Sequence, residues 1–352
     1  MSDAARWLAS LEKRARESLA PAVLEYLLQG ARDSVTAGEA AAAWGELRFL
    51  PRVLHDVTHV ETGVTLLGHA SAVPWGVAPT TLQRAVHPEG EVAMARATAA
   101  AGSTMVVSSN AGTTFADIGA TGVHWWLQAY LPADRTLAAP MLDRAVAAGA
   151  AAVVLTVDTP VVATKYASPG TPVIWDTVDP ALLRVNFDPG YDDLPGAEKA
   201  LDLGPHDIGW VADRTGLPVV VKGVLRPEDA QRSVQAGARA VWVSNHGGRQ
   251  LDRTASTAAC LPAVVDAVGE RAEVYVDGGL RSGLDVVGAL ALGANAVFLG
   301  RLPLLALVEG SSGVAALHRE LLVEVVETLR LAGARTVRDT RGLVAPHGAN
   351  LL

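Results

Sequence analysis

The stretch LPVVVKGVLRPEDAQRSVQAGARAVWVSN (217–245) decides the fold, because it contains a complete strand–helix–strand unit. Two short apolar runs, LPVVVKG (217–223) and AVWVSN (240–245), flank a charged segment with helical spacing. That segment ends in Ala-Gly-Ala, and a glycine at this point is an expected helix stop. Strands as continuously apolar as these are typical of a parallel sheet that is buried on both faces.

The same unit recurs along the rest of the chain. We predict six further strands, at SAVPWGVAP (71–79), TMVVSS (104–109), WWLQAY (125–130), AAVVLTVD (151–158), EVYVDGG (273–279) and AVFLGR (296–301). Eight strands that are each followed by a helix predict the α/β class and a (β/α)8 TIM barrel. An open doubly wound sheet is the alternative, but WGVAPTTLQ after the first strand lacks its G-x-G-x-x-G fingerprint. We therefore predict a single barrel domain over residues 1–352.

Three segments lie outside the strand–helix repeat. Residues 1–65 are predicted to form a helical extension that closes the bottom or side of the barrel, and residues 331–352 a C-terminal tail. Residues 160–205 follow the fourth strand and are rich in Pro, Gly and Asp. So long an irregular segment is usually a lid or disordered. Because it leaves from the top of a strand, beside any active site, we predict a lid.

Composition excludes several classes of protein. Lys and Arg total 29 against 37 Asp and Glu, a net charge of −8, which disfavours binding to nucleic acid or to an anionic membrane. The N-terminus lacks the apolar core of a signal peptide, and no run of about 18 apolar residues could span a membrane. The single cysteine, Cys260, excludes an intrachain disulfide and a cysteine-rich metal site. We therefore expect a cytoplasmic protein with no metal.

The chemistry of a (β/α)8 barrel lies at the C-terminal ends of its strands. In this chain nearly every predicted strand ends in hydrogen-bonding or ionisable groups, far more than a scaffold needs. These groups are Thr80, Gln83, Ser108, Asn110, Gln128, Tyr130, Thr156, Asp158, Lys222, Ser244, His246, Arg249, Asp277, Arg281 and Arg301. The sequence thus predicts one polar site at the top of the barrel.

The last two strand ends, VDGGLRSG (276–283) and FLGR (298–301), have the composition of a phosphate site. Barrels commonly bind phosphate at this place. Glycine lets backbone N–H groups approach the anion, and Arg281 and Arg301 can supply charge-assisted hydrogen bonds. The alternative is two tight turns with surface arginines.

The loop SNHGGRQLD (244–252) carries His246 and Arg249. A histidine can take a proton near neutral pH, and an arginine can clamp a carboxylate through two parallel hydrogen bonds. Together they suit a substrate with a carboxylate next to a carbon that bears a hydroxyl. Asp158 could orient the imidazole, as an aspartate does in a triad, or could cap a turn. Lys222, at the end of an apolar run, needs an anionic partner or forms a Schiff base; the second chemistry does not explain His246 with Arg249.

Seven motifs occur in the order found in a known family. They are PTTLQ (79–83) with HPEGE (87–91), LQAY (127–130), TVDTP (156–160), VKGV (221–224), SNHGGRQLD (244–252), DGGLRSG (277–283) and GR (300–301). On these motifs the chain resembles the FMN-dependent 2-hydroxy acid oxidases and dehydrogenases, the family of glycolate oxidase, lactate oxidase and mandelate dehydrogenase. The resemblance spans nearly the whole chain.

The resemblance implies FMN as cofactor and oxidation of an (S)-2-hydroxy acid to a 2-oxo acid, with O2 or another compound as electron acceptor. It implies that His246 is the base, that Asp158 is its partner and that Arg249 binds the substrate carboxylate. Tyr26 and Tyr130 fall where the family has tyrosines that contact the substrate, although Tyr26 could simply pack a helix.

The resemblance also implies further catalytic and cofactor positions. Lys222 is similar to the lysine beside the flavin ring that stabilises its reduced form, and Tyr130 joins the catalytic residues. The positions implied to contact FMN are Pro79, Thr80, Thr81, Ser108, Gln128, Thr156, Lys222, Ser244, Asp277, Gly278, Gly279, Arg281, Gly300 and Arg301. Family members are often tetramers, so a homo-oligomer is expected.

Two substrate-side positions depart from the family pattern. Many relatives carry a second arginine after TVDTP where this chain has Lys165, which keeps the charge without the planar fork or else turns to solvent. Asn110 stands where glycolate oxidase has a tryptophan, which leaves room for a larger or hydrogen-bonding substrate group. Both changes bear on the identity of the substrate more than on the reaction.

Three alternative functions accompany this prediction. An FMN-binding isomerase of prenyl diphosphates would have no use for Arg249 with His246. A barrel similar to IMP dehydrogenase needs a loop cysteine, whereas Cys260 lies in the apolar stretch TAACLPAVV. The third is a non-catalytic or specialised FMN-binding barrel that acts on an unusual, larger or carrier-linked substrate.

Overall fold

Eight parallel strands form a closed barrel in this computed structural model, which describes the backbone of residues 3–345 and the side chains of residues 7–345. The strands are β1 Val64–Leu66, β2 His69–Ser71, β3 Trp75–Val77, β4 Thr104–Ser108, β5 His124–Ala129, β6 Val153–Thr156, β7 Val219–Val224, β8 Ala240–Val243, β9 Glu273–Val276 and β10 Ala296–Leu299. Strands β3 to β10 follow one another around the barrel in chain order, and β10 pairs with β3 to close it. The predicted (β/α)8 barrel is confirmed, with strands shorter than the predicted runs.

Helices cover the outside of the barrel and its N-terminal approach. They are α1 Asp3–Ser18, α2 Pro21–Leu28, α3 Val35–Gly45, α4 Gln83–Val86, α5 Gly90–Ala100, α6 Phe115–Gly119, α7 Ala139–Ala147, α8 Pro205–Thr215, α9 Pro227–Gln235, α10 Thr257–Val268, α11 Gly283–Ala291, α12 Arg301–Ala306 and α13 Gly310–Leu331. Gly237 follows α9 with φ +99°, as the predicted glycine stop requires. Ser282 and Asp285 form a capping box that fixes the start of α11, a contact worth about 1 kcal/mol.

The barrel interior is filled by large aromatic side chains. Trp126, Trp242, Tyr275 and Phe298 are fully buried, and the rings of Trp242 and Phe298 are 4.2 Å apart. Trp125 points the other way, into the apolar layer between strands and helices. This alternation of neighbouring tryptophans is what a strand imposes. The interior is therefore a packed core, and it supports the site from below.

The N-terminal extension lies elsewhere than predicted. The N–H of Ala31 donates to the carbonyl of Gly248 (2.8 Å), and the carbonyl of Ala40 packs against Gly279. Helices α2 and α3 therefore cover the top of the barrel, so the expectation that residues 1–65 close the bottom or side is wrong for them. The bottom is closed by the unpredicted hairpin β1–β2, which buries Leu66 against the interior core.

The segment 160–205 is folded against the top of the barrel. It contains three short 3₁₀ turns, Ile174–Asp176, Pro180–Leu182 and Tyr191–Asp193. Asn186 anchors it: its Oδ1 accepts from the N–H of Phe115 (2.9 Å) and its Nδ2 donates to the carbonyl of Thr113 (3.0 Å). The segment, called the lid below, is thus attached to the chain that follows β4, and its role as a lid stays a prediction.

The C-terminal segment is packed as far as it is described. The carbonyl of Leu343 accepts from the N–H of Leu50 (2.7 Å), and Leu343 itself is buried. Of the tail predicted over 331–352, residues 346–352 lie outside the described residues. Within the described part of the chain, every helix is too short or too polar to cross a membrane.

Candidate active site

One deep pocket opens at the C-terminal ends of the barrel strands. It contains about 1050 Å³ of empty space, including its open mouth. Predicted residues that line it are Tyr26, Pro79, Thr80, Thr81, Ser108, Asn110, Gln128, Tyr130, Thr156, Lys222, His246, Arg249, Asp277, Gly278, Gly279, Arg281, Gly300 and Arg301. Asp158, Lys165 and Ser244 lie behind or beside this lining. The barrel thus brings the predicted site residues together.

His246 and Asp158 form a buried pair. The imidazole Nδ1 lies 2.9 Å from Asp158 Oδ1, and Thr159 Oγ1 donates to the same oxygen (3.1 Å). Burial opposes the charge on Asp158, but His246 and Lys222 outweigh it and hold the pKa of the carboxyl below its usual value. Burial lowers the pKa of His246, against the opposing charge of Asp158. At pH 7 the imidazole is therefore neutral, with its proton on Nδ1 and Nε2 free to accept one.

The backbone at His246 is strained in a way that presents the ring. His246 has φ +57°, a left-handed conformation that few non-glycine residues adopt. Its N–H donates to Ser244 Oγ (3.1 Å) at the end of β8. Two glycines follow, which let the chain turn at once and bring Arg249 back to the pocket.

Lys222 is buried beneath the pocket with an acidic partner. Its Nζ donates to Ser244 Oγ (2.9 Å) and lies 3.3 Å from Asp277 Oδ2. The anionic partner that the sequence required is thus supplied by the protein itself. An amine that is protonated in an ion pair is not a nucleophile, which disfavours the Schiff-base alternative. Asp277 Oδ1 is buried and has no hydrogen-bond partner among the described residues, so the site leaves an acceptor for a ligand.

A row of polar side chains crosses three adjacent strands below the pocket. Ser108 Oγ donates to Gln128 Oε1 (3.3 Å), and Gln128 Nε2 donates to Thr156 Oγ1 (3.1 Å). Ser108 and Thr156 are the last residues of β4 and β6, and Gln128 is the next-to-last residue of β5. Their mutual hydrogen bonds fix the Gln128 amide, so that the edge of a planar heterocycle would meet donors and acceptors in defined places.

The far end of the pocket is an anion site. Gly278 and Gly279 line the pocket beside Arg281 and Arg301 and have φ near +90°, a conformation that favours glycine. Burial lowers the pKa of Arg301 to about 10, helped by the charges of Arg249 and Arg281. Among the described residues neither Arg281 nor Arg301 has a carboxylate within salt-bridge distance. Two desolvated cations of this kind call for an anion such as the phosphate of FMN.

The substrate side of the pocket is formed by Arg249 and two tyrosines. Arg249 Nη1 donates to the carbonyls of Tyr26 (2.6 Å) and Gln29 (2.8 Å), and its guanidinium lies 4.6 Å from the Tyr26 ring centre. Tyr26 therefore lines the pocket and does more than pack its helix. Burial and the charge of Asp158 raise the pKa of Tyr130, so its hydroxyl stays protonated.

The two departures from the family pattern have defined surroundings. Lys165 does not line the pocket; its Nζ donates to the carbonyl of Ala163 (3.1 Å), while burial and the charge of Arg249 lower its pKa to about 8. Lys165 is partly buried, and its role on the substrate side stays a prediction. Asn110 lines the pocket, and its Oδ1 accepts from Arg184 Nη1 of the lid (2.5 Å).

Two lid residues at the site were not found in the sequence. Arg184 holds Asn110, and Lys199 Nζ lies 4.0 Å above the Tyr130 ring centre. No motif marks either residue, because both lie in an irregular segment whose path depends on tertiary contacts. Cys260, in contrast, lies inside α10 and outside the pocket.

Comparison with known proteins decides the family. A model described as FMN-dependent dehydrogenase matches residues 15–345. The chain belongs to this FMN-dependent family. Glycolate oxidase 3 of Arabidopsis thaliana is 38% identical over 339 residues, covering 93% of this chain and 92% of the relative. L-lactate oxidase of Nostoc sp. is 35% identical over 345 residues, covering 93% and 94%.

Solved structures of this family agree with the fold. A mandelate oxidase variant with (S)-mandelic acid has a TM-score of 0.86 and 36% identity, and the match covers 96% of this chain and 97% of the other. A Pediococcus acidilactici protein described as a lactate oxidase has a TM-score of 0.88 and 32% identity, covering 96% and 93%. The chain is thus an FMN-dependent oxidoreductase of the 2-hydroxy acid oxidase family, and its cofactor is FMN.

Proposed function

We propose that this enzyme oxidises an (S)-2-hydroxy acid to the 2-oxo acid, with His246 as the base and Arg249 as the ligand of the substrate carboxylate. The observation that supports this most is the pairing of His246 Nδ1 with Asp158 Oδ1 at 2.9 Å. His246 and Arg249 are three residues apart on the same loop, and both line the pocket. A proton acceptor and a carboxylate ligand then face one pocket. In the reaction the hydroxy acid loses two electrons and two protons to become the 2-oxo acid.

The residues of the pocket fit FMN. Arg281 and Arg301 would hold its phosphate, and Ser108, Gln128 and Thr156 would meet the edge of its ring. Bound FMN supplies the two-electron acceptor of the reaction. Lys222, held by Asp277 below the pocket, places a positive charge where the ring system would gain electrons.

His246 takes one proton at Nε2, because Nδ1 already donates to Asp158. The imidazolium that forms is stabilised by the adjacent carboxylate, which remains charged. Arg249 has Nε and Nη2 without hydrogen-bond partners among the described residues, and these two donors suit a carboxylate. Tyr130, protonated at pH 7, donates to the substrate hydroxyl or the new carbonyl oxygen.

The test compares His246→Ala with wild type and with His55→Ala, an exposed histidine far from the chemistry. Each holoenzyme is mixed anaerobically with a panel of 2-hydroxy acids while the visible flavin bands are followed. We expect His246→Ala to retain FMN and to lose about 10²- to 10⁴-fold in flavin reduction rate, as for removal of a general base. Normal reduction in His246→Ala would overturn the assignment, and His55→Ala should behave as wild type.

Three finer predictions belong to the same proposal. Oxygen or another compound accepts the electrons. Admission of air after flavin reduction distinguishes these two cases. Location in the cytoplasm and assembly as a homo-oligomer stay predictions; light scattering of the purified holoenzyme tests the second. A flavin that no hydroxy acid reduces would instead favour the specialised or non-catalytic barrel.

A further inference from the structure

Most lysines of this chain lie near the active site. Only four of its 29 basic residues are lysines, at positions 13, 165, 199 and 222. Lys13 is exposed on α1, whereas the other three surround the active site. Lys222 lies at the cofactor end of the pocket, where it pairs with Asp277. Lys165 and Lys199 stand on the substrate side, and the proposed reaction does not use them.

Lys199 packs against Tyr130, a residue that lines the pocket. The backbone of Lys199 pairs with Pro132, two residues beyond Tyr130, and its Nζ lies 4.0 Å above the Tyr130 ring centre. The side chain is partly buried. A cation on an aromatic face gains about 0.5–2 kcal/mol. That contact explains the position of the ammonium group but does not neutralise its charge.

Lys199 has no carboxylate within salt-bridge distance among the described residues. The charges that act on it are Asp158, which is already paired with His246, and the like charges of Lys165 and Arg184. Burial and these two cations lower the pKa of Lys199 to about 8. At pH 7 the group is still mainly protonated, so the substrate side carries an excess of positive charge.

Arg184 is the third cation near Lys165 and Lys199, and it orients Asn110. Its Nε and Nη2 bind Asp192, and its Nη1 donates to Asn110 Oδ1. With Oδ1 fixed on the guanidinium, Asn110 Nδ2 is left with no hydrogen-bond partner among the described residues. A residue that lines the pocket thereby presents two N–H donors and no acceptor.

We propose that the substrate carries a second carboxylate at the far end of its side chain, which Asn110 Nδ2 and Lys199 bind. This inference rests on the proposed function and specifies its substrate as a 2-hydroxy dicarboxylic acid. Arg249 holds the carboxylate next to the reacting carbon, while Asn110 after β4 and Lys199 of the lid supply the donors for the distal one. One ammonium group and one amide suit a single carboxylate, whereas a dianionic phosphate takes more donors.

The experiment measures anaerobic flavin reduction in the holoenzyme with substrate pairs of matched chain length. (S)-malate is compared with (S)-2-hydroxybutyrate, and (S)-2-hydroxyglutarate with (S)-2-hydroxyvalerate. We expect one dicarboxylate to bind about 10- to 100-fold more tightly than its monocarboxylate partner, as for hydrogen bonds to a charged group. Equal or weaker binding of both dicarboxylates would overturn the inference while leaving the proposed function intact. If no acid of either kind reduces the flavin, the proposed function itself fails.

Two variants locate the effect. Lys199→Met should raise the dissociation constant of the preferred dicarboxylate about 10-fold or more, and should change that of the monocarboxylate partner much less. Lys199→Arg keeps the charge and should keep the preference, and Lys13→Met is the exposed control. If Lys199→Met weakens both substrates equally, Lys199 has only a structural role, and the inference is wrong.

Discussion

The imidazole Nδ1 of His246 lies 2.9 Å from Oδ1 of Asp158, although the two residues are 88 positions apart in the chain. Asp158 follows β6 and His246 follows β8, so the barrel itself sets this distance. The pair fixes which nitrogen of the imidazole carries the proton. The reaction proposed for the enzyme depends on this arrangement.

Replacing Asp158 with Asn should slow flavin reduction by about 10²-fold or more, because the imidazolium loses its stabilising charge. The Asp158 charge raises the pKa of His246, so its removal lowers that pKa further. Activity falls on the acid side as His246 becomes protonated. The acid limb of the rate–pH profile should therefore move to lower pH in Asp158→Asn. A limb that moves to higher pH would contradict the assigned pair.

Arg301→Met should weaken FMN binding, since it removes one of two cations at the anion site. The expected loss is about 10- to 100-fold, the value of hydrogen bonds to a charged group. Riboflavin, which lacks the phosphate, should bind the variant as well as it binds wild type. Fluorescence titration of the apoprotein measures both ligands, and the exposed Arg232→Met is the control. Equal weakening for FMN and riboflavin would show that Arg301 does not bind the phosphate.

The charge of Lys199 predicts a pH effect on substrate specificity. Burial lowers the pKa of Lys199 to about 8, so its charge is present below that pH and is lost as the pH rises through it. The preference for a dicarboxylate should thus decline above pH 8. Lys165 titrates in the same range, but only Lys199→Arg should restore the preference at pH 9. A preference that is unchanged across this range in wild type would contradict the role of Lys199.

Gly279→Ala should destabilise the fold more than an ordinary glycine substitution. A Cβ at Gly279 would lie 2.3 Å from the carbonyl oxygen of Ala40, which would push α3 off the top of the barrel. Gly149 has a similar φ (+88°) and open space around it, so Gly149→Ala isolates the backbone cost of about 1–2 kcal/mol. Denaturant unfolding of both holoenzyme variants measures the difference. Equal losses would mean that the contact with α3 is not tight.

Much of the site follows from the sequence because its residues end strands. In a barrel only the C-terminal end of each strand contributes to the site. Ser108, Gln128 and Thr156 could therefore be assigned to the site from the sequence alone. The barrel then forces these ends together at one rim. His246 and Arg249 were found in the same way, from the loop that follows β8.

The remaining features depend on tertiary contacts that no local pattern encodes. The strands of the β1–β2 hairpin are three residues long, too short to show alternation, and its turn uses Leu67 in a left-handed conformation. Helices α2 and α3 have apolar residues that would suit either end of the barrel. Arg184 and Lys199 lie in irregular chain whose path is set by anchors such as Asn186.

The central claim is tested most directly by the visible spectrum of the purified holoenzyme, followed anaerobically as (S)-2-hydroxy acids, including the two dicarboxylates, are added. We predict that the flavin bands bleach and that one equivalent of 2-oxo acid forms for each flavin reduced. Flavin bands that persist with every acid of the panel would contradict the account.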